Sequence, residues 1–239
     1  MAGRIARRVL VNFRVDPGVL QRLLPAPFRP KRVRGVGLAG VCLIRLEEIR
    51  PRGVPRALGV ASENAAHRIA VEWDDDRGER REGVYIPRRD TSSALNALVG
   101  AHLFPAEHHR ASFEVEDSAE ALHLDVRSED GATRLEVVGR PSEALSAGSV
   151  FASLEEATEF FRGGSFGYSV TRRAGELDIV ELRTRTFVLR PVDLTSVSSS
   201  FFSNPDAFPE GSLELDSAFL MRGVEHTWHG HGVLRCGPQ

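Results

Sequence analysis

Lysine is almost absent from this chain: of its 31 basic side chains only Lys31 is a lysine, and the rest are arginines. An enzyme that forms a Schiff base needs an amine that loses its proton near neutral pH, and a guanidinium stays charged. The one candidate stands in the arginine-rich segment 28–32, which we expect to be exposed. The scarcity of lysine therefore argues against Schiff-base chemistry.

Cysteine is scarce as well, since Cys42 and Cys236 are the only two in the sequence. They are too far apart for a metal-ligand spacing or a disulfide framework. Cys42 stands in the apolar run 40–44, which predicts a buried thiol. On a strand His229 and His231 would share a face, but no carboxylate or cysteine is fixed beside them. We predict no metal site and no cofactor.

An excess of charge and long apolar runs are also lacking. The net charge is −2 and the isoelectric point about 6.5, so nothing calls for nucleic acid as a partner. No apolar stretch approaches the length of a membrane span, and no apolar region follows the basic N-terminus. We expect a cytoplasmic protein without a membrane partner. The absence of a linker predicts a single domain over 1–239, and the sequence is compatible with a homo-oligomer.

What the sequence does contain is alternating apolar residues separated by short turns. This pattern predicts many antiparallel strands and three short helices, over 17–24, 92–102 and 153–161. The predicted strands cover 5–13, 36–49, 69–73, 83–86, 111–116, 122–127, 134–139, 168–173, 177–190 and 213–224, with one more near Trp228. No regular βαβ alternation occurs. The expected class is α+β, with a large curved antiparallel sheet closing into a cone or barrel.

The densest polar cluster in an ordered context spans residues 85–93, where we expect a strand to end at Pro87 and a helix to begin. Asp90 or Thr91 can cap that helix, whose free N–H groups favour an anion. Arg88 and Arg89 could then clamp a carboxylate or phosphate. The alternative is that Asp90 only caps and the arginines pair with surface acids.

A second cluster precedes a strand-like segment. Glu63, His67 and Trp73 would share one face of a regular strand, and a carboxylate beside an imidazole can form an acid/base pair. A solvated strand entry with local ion pairs is an equal alternative. Further histidines lie near residue 105, so the candidates for catalysis are Glu63 and His109.

Several segments occur in the order found in a known family. They are Glu63-Asn64 with Arg68, Gly83-Val84-Tyr85, Arg88-Arg89-Asp90-Thr91, Leu103-Phe104-Pro105 with His108 and Ala111, and Gly164 through Ser169 with the late Phe-rich segment. The chain resembles the YqjF-like group of uncharacterised proteins (DUF2071), in the acetoacetate decarboxylase-like superfamily. The resemblance implies an antiparallel β cone or barrel with a central, largely apolar pocket. The polar clusters and this resemblance together give six candidates for ligand binding: Arg88, Arg89, Glu63, Arg68, His108 and Tyr168.

In acetoacetate decarboxylases a Pro-Lys-Lys segment supplies the Schiff-base lysine. The counterpart suggested here is Pro87-Arg88-Arg89, in which guanidiniums replace both amines. We therefore expect a protein that binds a small acidic or carboxylate metabolite in the central pocket of the barrel, without Schiff-base chemistry. The alternative is an enzyme that acts on a keto or enol acid with Glu63 or a histidine as general base. A third reading is a structural or regulatory partner without a ligand.

Overall fold

The protein is described by a computed structural model that covers residues 1–75, 77–94 and 106–236. This part of the chain is mostly β-sheet. The strands are β1 (Ala2–Val15), β2 (Arg29–Pro30), β3 (Arg32–Val33), β4 (Val36–Arg50), β5 (Val60–Asp74), β6 (Arg80–Thr91), β7 (His109–Asp117), β8 (Leu122–Ser128), β9 (Arg134–Pro141), β10 (Phe166–Val170), β11 (Glu176–Thr184), β12 (Arg190–Ser199) and β13 (Leu213–Arg235).

Two α-helices lie in the described residues, and local capping explains where each begins. Helix α1 (Pro17–Leu23) starts after Asp16, whose carboxylate accepts hydrogen bonds from the N–H groups of Gly18 and Val19. Helix α2 (Leu154–Gly163) starts after Ser153, whose hydroxyl accepts the N–H of Glu156, and it ends at Gly164. A 3₁₀-helix covers Arg56–Leu58.

The strands close into two rings that share a wall. The first ring contains nine strands, in the order β6–β7–β8–β9–β12–β13–β1–β4–β5 and back to β6. The second runs β6–β10–β11–β13–β1–β4–β5 and closes through the pairing of β11 with the end of β13. Most pairings are antiparallel, but β6 pairs in parallel with both β10 and β7.

The shared strands bury both of their faces, and alternate residues of β4 and β5 go to two separate apolar clusters. The first cluster contains Val41 and Ile69 and extends over β7–β9 and β12. The second contains Cys42 and Ala70 and lies against helix α2, β11 and the end of β13. Because side chains alternate across a strand, sequence neighbours on these strands face different compartments.

Most predicted elements are confirmed. The fold class is α+β with a sheet closed into rings, the meander forms β7–β9, and α1 and α2 are helices. The predicted hairpin of 69–73 with 83–86 is the middle of the longer pair β5–β6. The helix predicted over 92–102 falls mostly on 95–105, outside the described residues.

Two predictions about strand ends are wrong. The strand predicted to end at Pro87 continues as β6 through Thr91. The strand predicted over 177–190 is β11, which ends at Thr184, and β12 begins separately at Arg190. Neither α-helix of the described residues has the length and apolar character needed to cross a bilayer.

Candidate functional site

Arg88 lies on β6 and is held by two carboxylates. Its Nη2 is 2.8 Å from Oδ1 of Asp90 and 2.9 Å from Oδ1 of Asp130. Asp90 is fully buried in β6 and also accepts a hydrogen bond from the hydroxyl of Thr133, so its carboxylate is shared between Arg88 and Thr133. Arg88 is thus balanced by two acids, whereas Arg89 bonds to Ser169 instead. The described residues do not bring Arg88 and Arg89 together as a clamp, and anion binding by either one stays a prediction.

Glu63 also has its own partners. Its carboxylate is 2.6 Å from Nη2 of Arg7 and 3.8 Å from Nη1 of Arg45. His67 follows Glu63 on β5, and its ring stacks on Phe201 with ring centroids 4.5 Å apart. Glu63 therefore forms an ion pair with arginines and no acid/base pair with His67.

The histidines near residue 105 separate into two environments. Nδ1 of His109 is 3.2 Å from Asp130, so this ring belongs to the acid cluster around Arg88. Nδ1 of His108 lies 3.0 Å from the carbonyl of Ala106. Burial, and then the charge of Arg89, lower the pKa of His108 to about 4. His108 is therefore near Arg89, whereas His109 is near Arg88.

Arg89 faces the second cluster and meets the neighbouring strands β10 and β11. Its Nε donates to the hydroxyl of Ser169 at 2.9 Å. Asp178, directly opposite Ser169 in the sheet, is 2% exposed and interacts electrostatically with Arg89. Burial lowers the pKa of Arg89 and raises the pKa of Asp178. The charge of each residue partly offsets the pKa shift that burial causes in the other. Oδ2 of Asp178 has no hydrogen-bond partner among the described residues.

Arg68 is a buried cation of this face that forms no salt bridge among the described residues. It is 5% exposed, donates from Nη2 to the amide oxygen of Asn12, and lies 5.2 Å from the ring centroid of Phe161. Its Nε has no hydrogen-bond partner in the part of the chain that the structure describes. Burial lowers its pKa to about 10. A guanidinium with only a neutral amide as partner is costly to bury.

A cavity of about 20 Å³ lies beside Arg68, beneath helix α2. Arg8, Lys31 and Arg68 supply its cationic walls, and Phe160 and Phe161 supply an apolar one. The expectation that Lys31 is exposed is wrong: its side chain is 20% exposed, forms an ion pair with Glu82, and lies 4.4 Å from the ring centroid of Phe160.

The polar side chains of this face form a row across the second ring, which we call the arginine belt. Nε of Arg8 donates to Sγ of Cys42 at 3.3 Å, and Arg68 interacts electrostatically with both. Arg89 interacts with Cys42 on one side and Asp178 on the other. The belt consists of Arg8 (β1), Cys42 (β4), Arg68 (β5), Arg89 (β6), Ser169 (β10) and Asp178 (β11). Its three guanidiniums face one carboxylate, so the belt carries excess positive charge.

The structure brings together Arg68, Arg89 and His108 from the predicted set, and it separates the others. Tyr168 packs in the first cluster, 5.0 Å from Phe28 and 4.8 Å from Trp73 between ring centroids. The sequence offered no sign of Arg8 and Asp178 as site residues, because pairing of distant strands brings them to the belt. Arg8 is 34 residues from Cys42 in the sequence, and Asp178 is further still from Arg89. Among the described residues, no group of three or more His, Cys, Asp or Glu side chains is arranged to hold a metal ion.

Solved structures share this architecture at low sequence identity. An acetoacetate decarboxylase from Legionella pneumophila matches with a TM-score of 0.60 and 11% identity, over 99% of this chain and 88% of that one. An acetoacetate decarboxylase-like enzyme from Sphingomonas wittichii matches with a TM-score of 0.58 and 16% identity, over 98% and 91%. The enduracididine biosynthesis enzyme MppR, complexed with pyruvate, gives 0.59 and 12%, over 98% and 90%. These likenesses show the fold.

Comparison with curated proteins gave no sequence match. A family model does match, covering residues 4–208, which include every residue of the arginine belt. The model is that of DUF2071, described as an uncharacterized conserved protein. This chain therefore belongs to the DUF2071 family and has the acetoacetate decarboxylase-like fold.

Proposed function

We propose that this protein binds a small carboxylate in the cavity lined by Arg8, Lys31 and Arg68. The observation that carries the proposal is the state of Arg68, a buried guanidinium with a neutral partner and an Nε without one. A carboxylate accepts two parallel hydrogen bonds from a guanidinium, and such charge-assisted bonds are the strong ones. The neighbouring phenylalanines would pack against the apolar part of the ligand.

The size of the cavity limits the ligand and requires a movement. About 20 Å³ holds roughly one water molecule. A carboxylate enters if Glu82 leaves Lys31, because Glu82 is the acid that now occupies the cationic wall. Glu82 is 43% exposed, so this movement needs no rearrangement of the core. Small acids such as acetate and pyruvate therefore suit the site, since they need the space that Glu82 vacates.

Titration calorimetry with acetate and pyruvate tests the proposal on the native chain. We expect binding to the unmodified protein and about tenfold or weaker binding to Arg68→Met and to Arg8→Met, since a lost charge-assisted hydrogen bond removes roughly 1.5–3 kcal/mol. Arg140→Met is the matched control, because Arg140 is exposed and pairs with Asp193. No binding to the unmodified protein, or equal binding to all variants, contradicts the proposal.

Turnover of a keto or enol acid is a second candidate, and Asp178 favours it. A buried carboxyl with a raised pKa and one free oxygen is suited to accept and return a proton. Arg89 beside it would hold the substrate. In this candidate Asp178 takes the role first considered for Glu63 and His109. Deuterium exchange at C3 of pyruvate, lost in Asp178→Asn, is the expected observation, and no exchange above the buffer rate contradicts it.

A further inference from the structure

The proposed binding of a carboxylate gives no role to Cys42, the cysteine of the arginine belt. Cys42 is 8% exposed and faces the second cluster, while the other cysteine, Cys236, packs against the first. Nε of Arg8 donates to its sulfur at 3.3 Å. The sulfur is therefore in direct contact with a residue that lines the cavity.

Strand register brings two more guanidiniums toward the same sulfur. Cys42 is opposite Ala66 on β5, and Ala66 is opposite Arg89 on β6. Arg68 is opposite Gly40, which lies on the same face as Cys42 one pleat away. A Cβ at Gly40 would meet the carbonyl oxygen of Val11 at 2.1 Å, so this position has no room for a side chain that would separate Arg68 from the thiol.

An unsatisfied donor belongs to a residue that lines the same cavity as Arg8. Nε of Arg68 is buried and has no partner among the described residues, which is an observation independent of the cysteine. A carboxylate bound there would be within one pleat of the sulfur, and holding two reactants at such a separation raises their effective concentration.

We propose that Cys42 is a nucleophile directed toward small electrophilic carboxylates, of which 2,3-unsaturated acids are the class that fits. This inference rests on the proposed function, because the same arginines hold the acid. The sulfur adds to C3 of the acid and a C–S bond forms. The π electron pair moves to C2, which takes the proton that the thiol gives up. The addition balances without an oxidant, a reductant or a second substrate.

Iodoacetate and iodoacetamide are the probes, since they differ in charge and little in size. In each case the sulfur displaces iodide: the C–S bond forms, the C–I bond breaks, and the thiol proton goes to solvent. We expect Cys42 to react about tenfold or more faster with iodoacetate than with iodoacetamide, because the guanidiniums attract the anion. Cys236, followed in the same samples by peptide mass mapping, should show no preference for the anion.

Variants connect the preference to the belt. Arg8→Gln and Arg68→Gln should each reduce the iodoacetate preference several-fold, while the surface variant Arg140→Gln should leave it unchanged. Two separate arginine variants keep the test decisive if one of them fails to fold. Added acetate should protect Cys42 from iodoacetate. Equal rates with both reagents at Cys42, or a Cys42 that reacts with neither, overturns the inference.

The same samples separate this inference from the proposed function. Acetate binding that persists in Cys42→Ala, together with no iodoacetate preference in the unmodified protein, overturns the role of Cys42 alone. Absence of acetate and pyruvate binding in the unmodified protein overturns the proposed function.

Discussion

At Arg88 a guanidinium meets two carboxylates, whereas at Arg68 it meets a neutral amide. The two residues belong to one antiparallel strand pair, and their chemistry differs because they face different compartments. A paired guanidinium stabilises the strands around it, while an unpaired one is available to an anion. The residue type alone therefore says little about the role of an arginine in this chain.

His67 gives a prediction at the scale of one residue. Its ring is fully buried, neither nitrogen has a partner in the described residues, and burial and then Arg88 lower its pKa to about 3. The unfolded chain binds a proton at pH values where the folded chain does not, so stability falls as the pH drops from about 6.5 toward 3.

We expect His67→Phe to be more stable than the unmodified protein, because Phe stacks on Phe201 without burying unpaired nitrogens. The difference should grow by on the order of 2 kcal/mol between pH 7 and pH 4, measured by urea unfolding. His123→Phe is the control, since His123 is half exposed and pairs with Glu136. A difference that stays constant with pH contradicts the assignment.

At the scale of elements, two short strands position Lys31, which lies between them. β2 pairs with β5 and β3 pairs with β4, and this places Lys31 in the wall of the cavity. The N–H of Lys31 donates to the carbonyl of Ala70 at 2.9 Å, and its side chain reaches Glu82 on β6. The residue between these two short strands therefore supplies part of the cavity wall.

Glu82→Gln should strengthen acetate binding, because it removes the acid that competes with the ligand for the cationic wall. We expect up to about fivefold, since a partly exposed ion pair contributes roughly 0.2–1 kcal/mol. Calorimetry measures the change, and Glu79→Gln is the control because Glu79 pairs with Arg81 on the exposed turn. Weaker binding to Glu82→Gln would contradict the role given to this carboxylate.

Pro87 shows why local patterns predict most elements but not this site. A proline cannot donate to a strand ladder, so ending the strand there was reasonable. In the structure β6 pairs with β10 through Ile86 and with β7 from Asp90, and Pro87 lies between these two partners. The register with β5 also shifts at this point, so the missing N–H interrupts no regular ladder.

That shift decides which arginine enters the belt. Regular alternation from Tyr85, which faces the first cluster, would put Arg89 there and Arg88 in the second. The irregularity between His67 and Ile69 places Arg88 opposite His67 and inverts the assignment. The strands, helix caps and buried Cys42 follow from neighbouring residues, whereas the site depends on a bulge and on distant pairings.

For the whole molecule, one lysine makes a direct test of imine chemistry possible. The amine of Lys31 is in an ion pair with Glu82, and an ammonium cannot attack a carbonyl. We expect borohydride reduction in the presence of pyruvate or acetoacetate to add no mass to the protein. An adduct mapped to Lys31 would contradict this expectation and restore a Schiff-base mechanism; an adduct at the N-terminal amine, measured as the control position, would not.

The last strand of the chain pairs with the first. Strand β13 lies beside β1 over almost the whole length of β1, and it also provides the closing contact of both rings. During synthesis one edge of β1 therefore lacks its partner strand until about 200 further residues have been added. Such distant pairing slows folding and leaves an unpaired strand open to association with other chains. We therefore expect the growing chain to be exposed to association with other chains until β13 has been made.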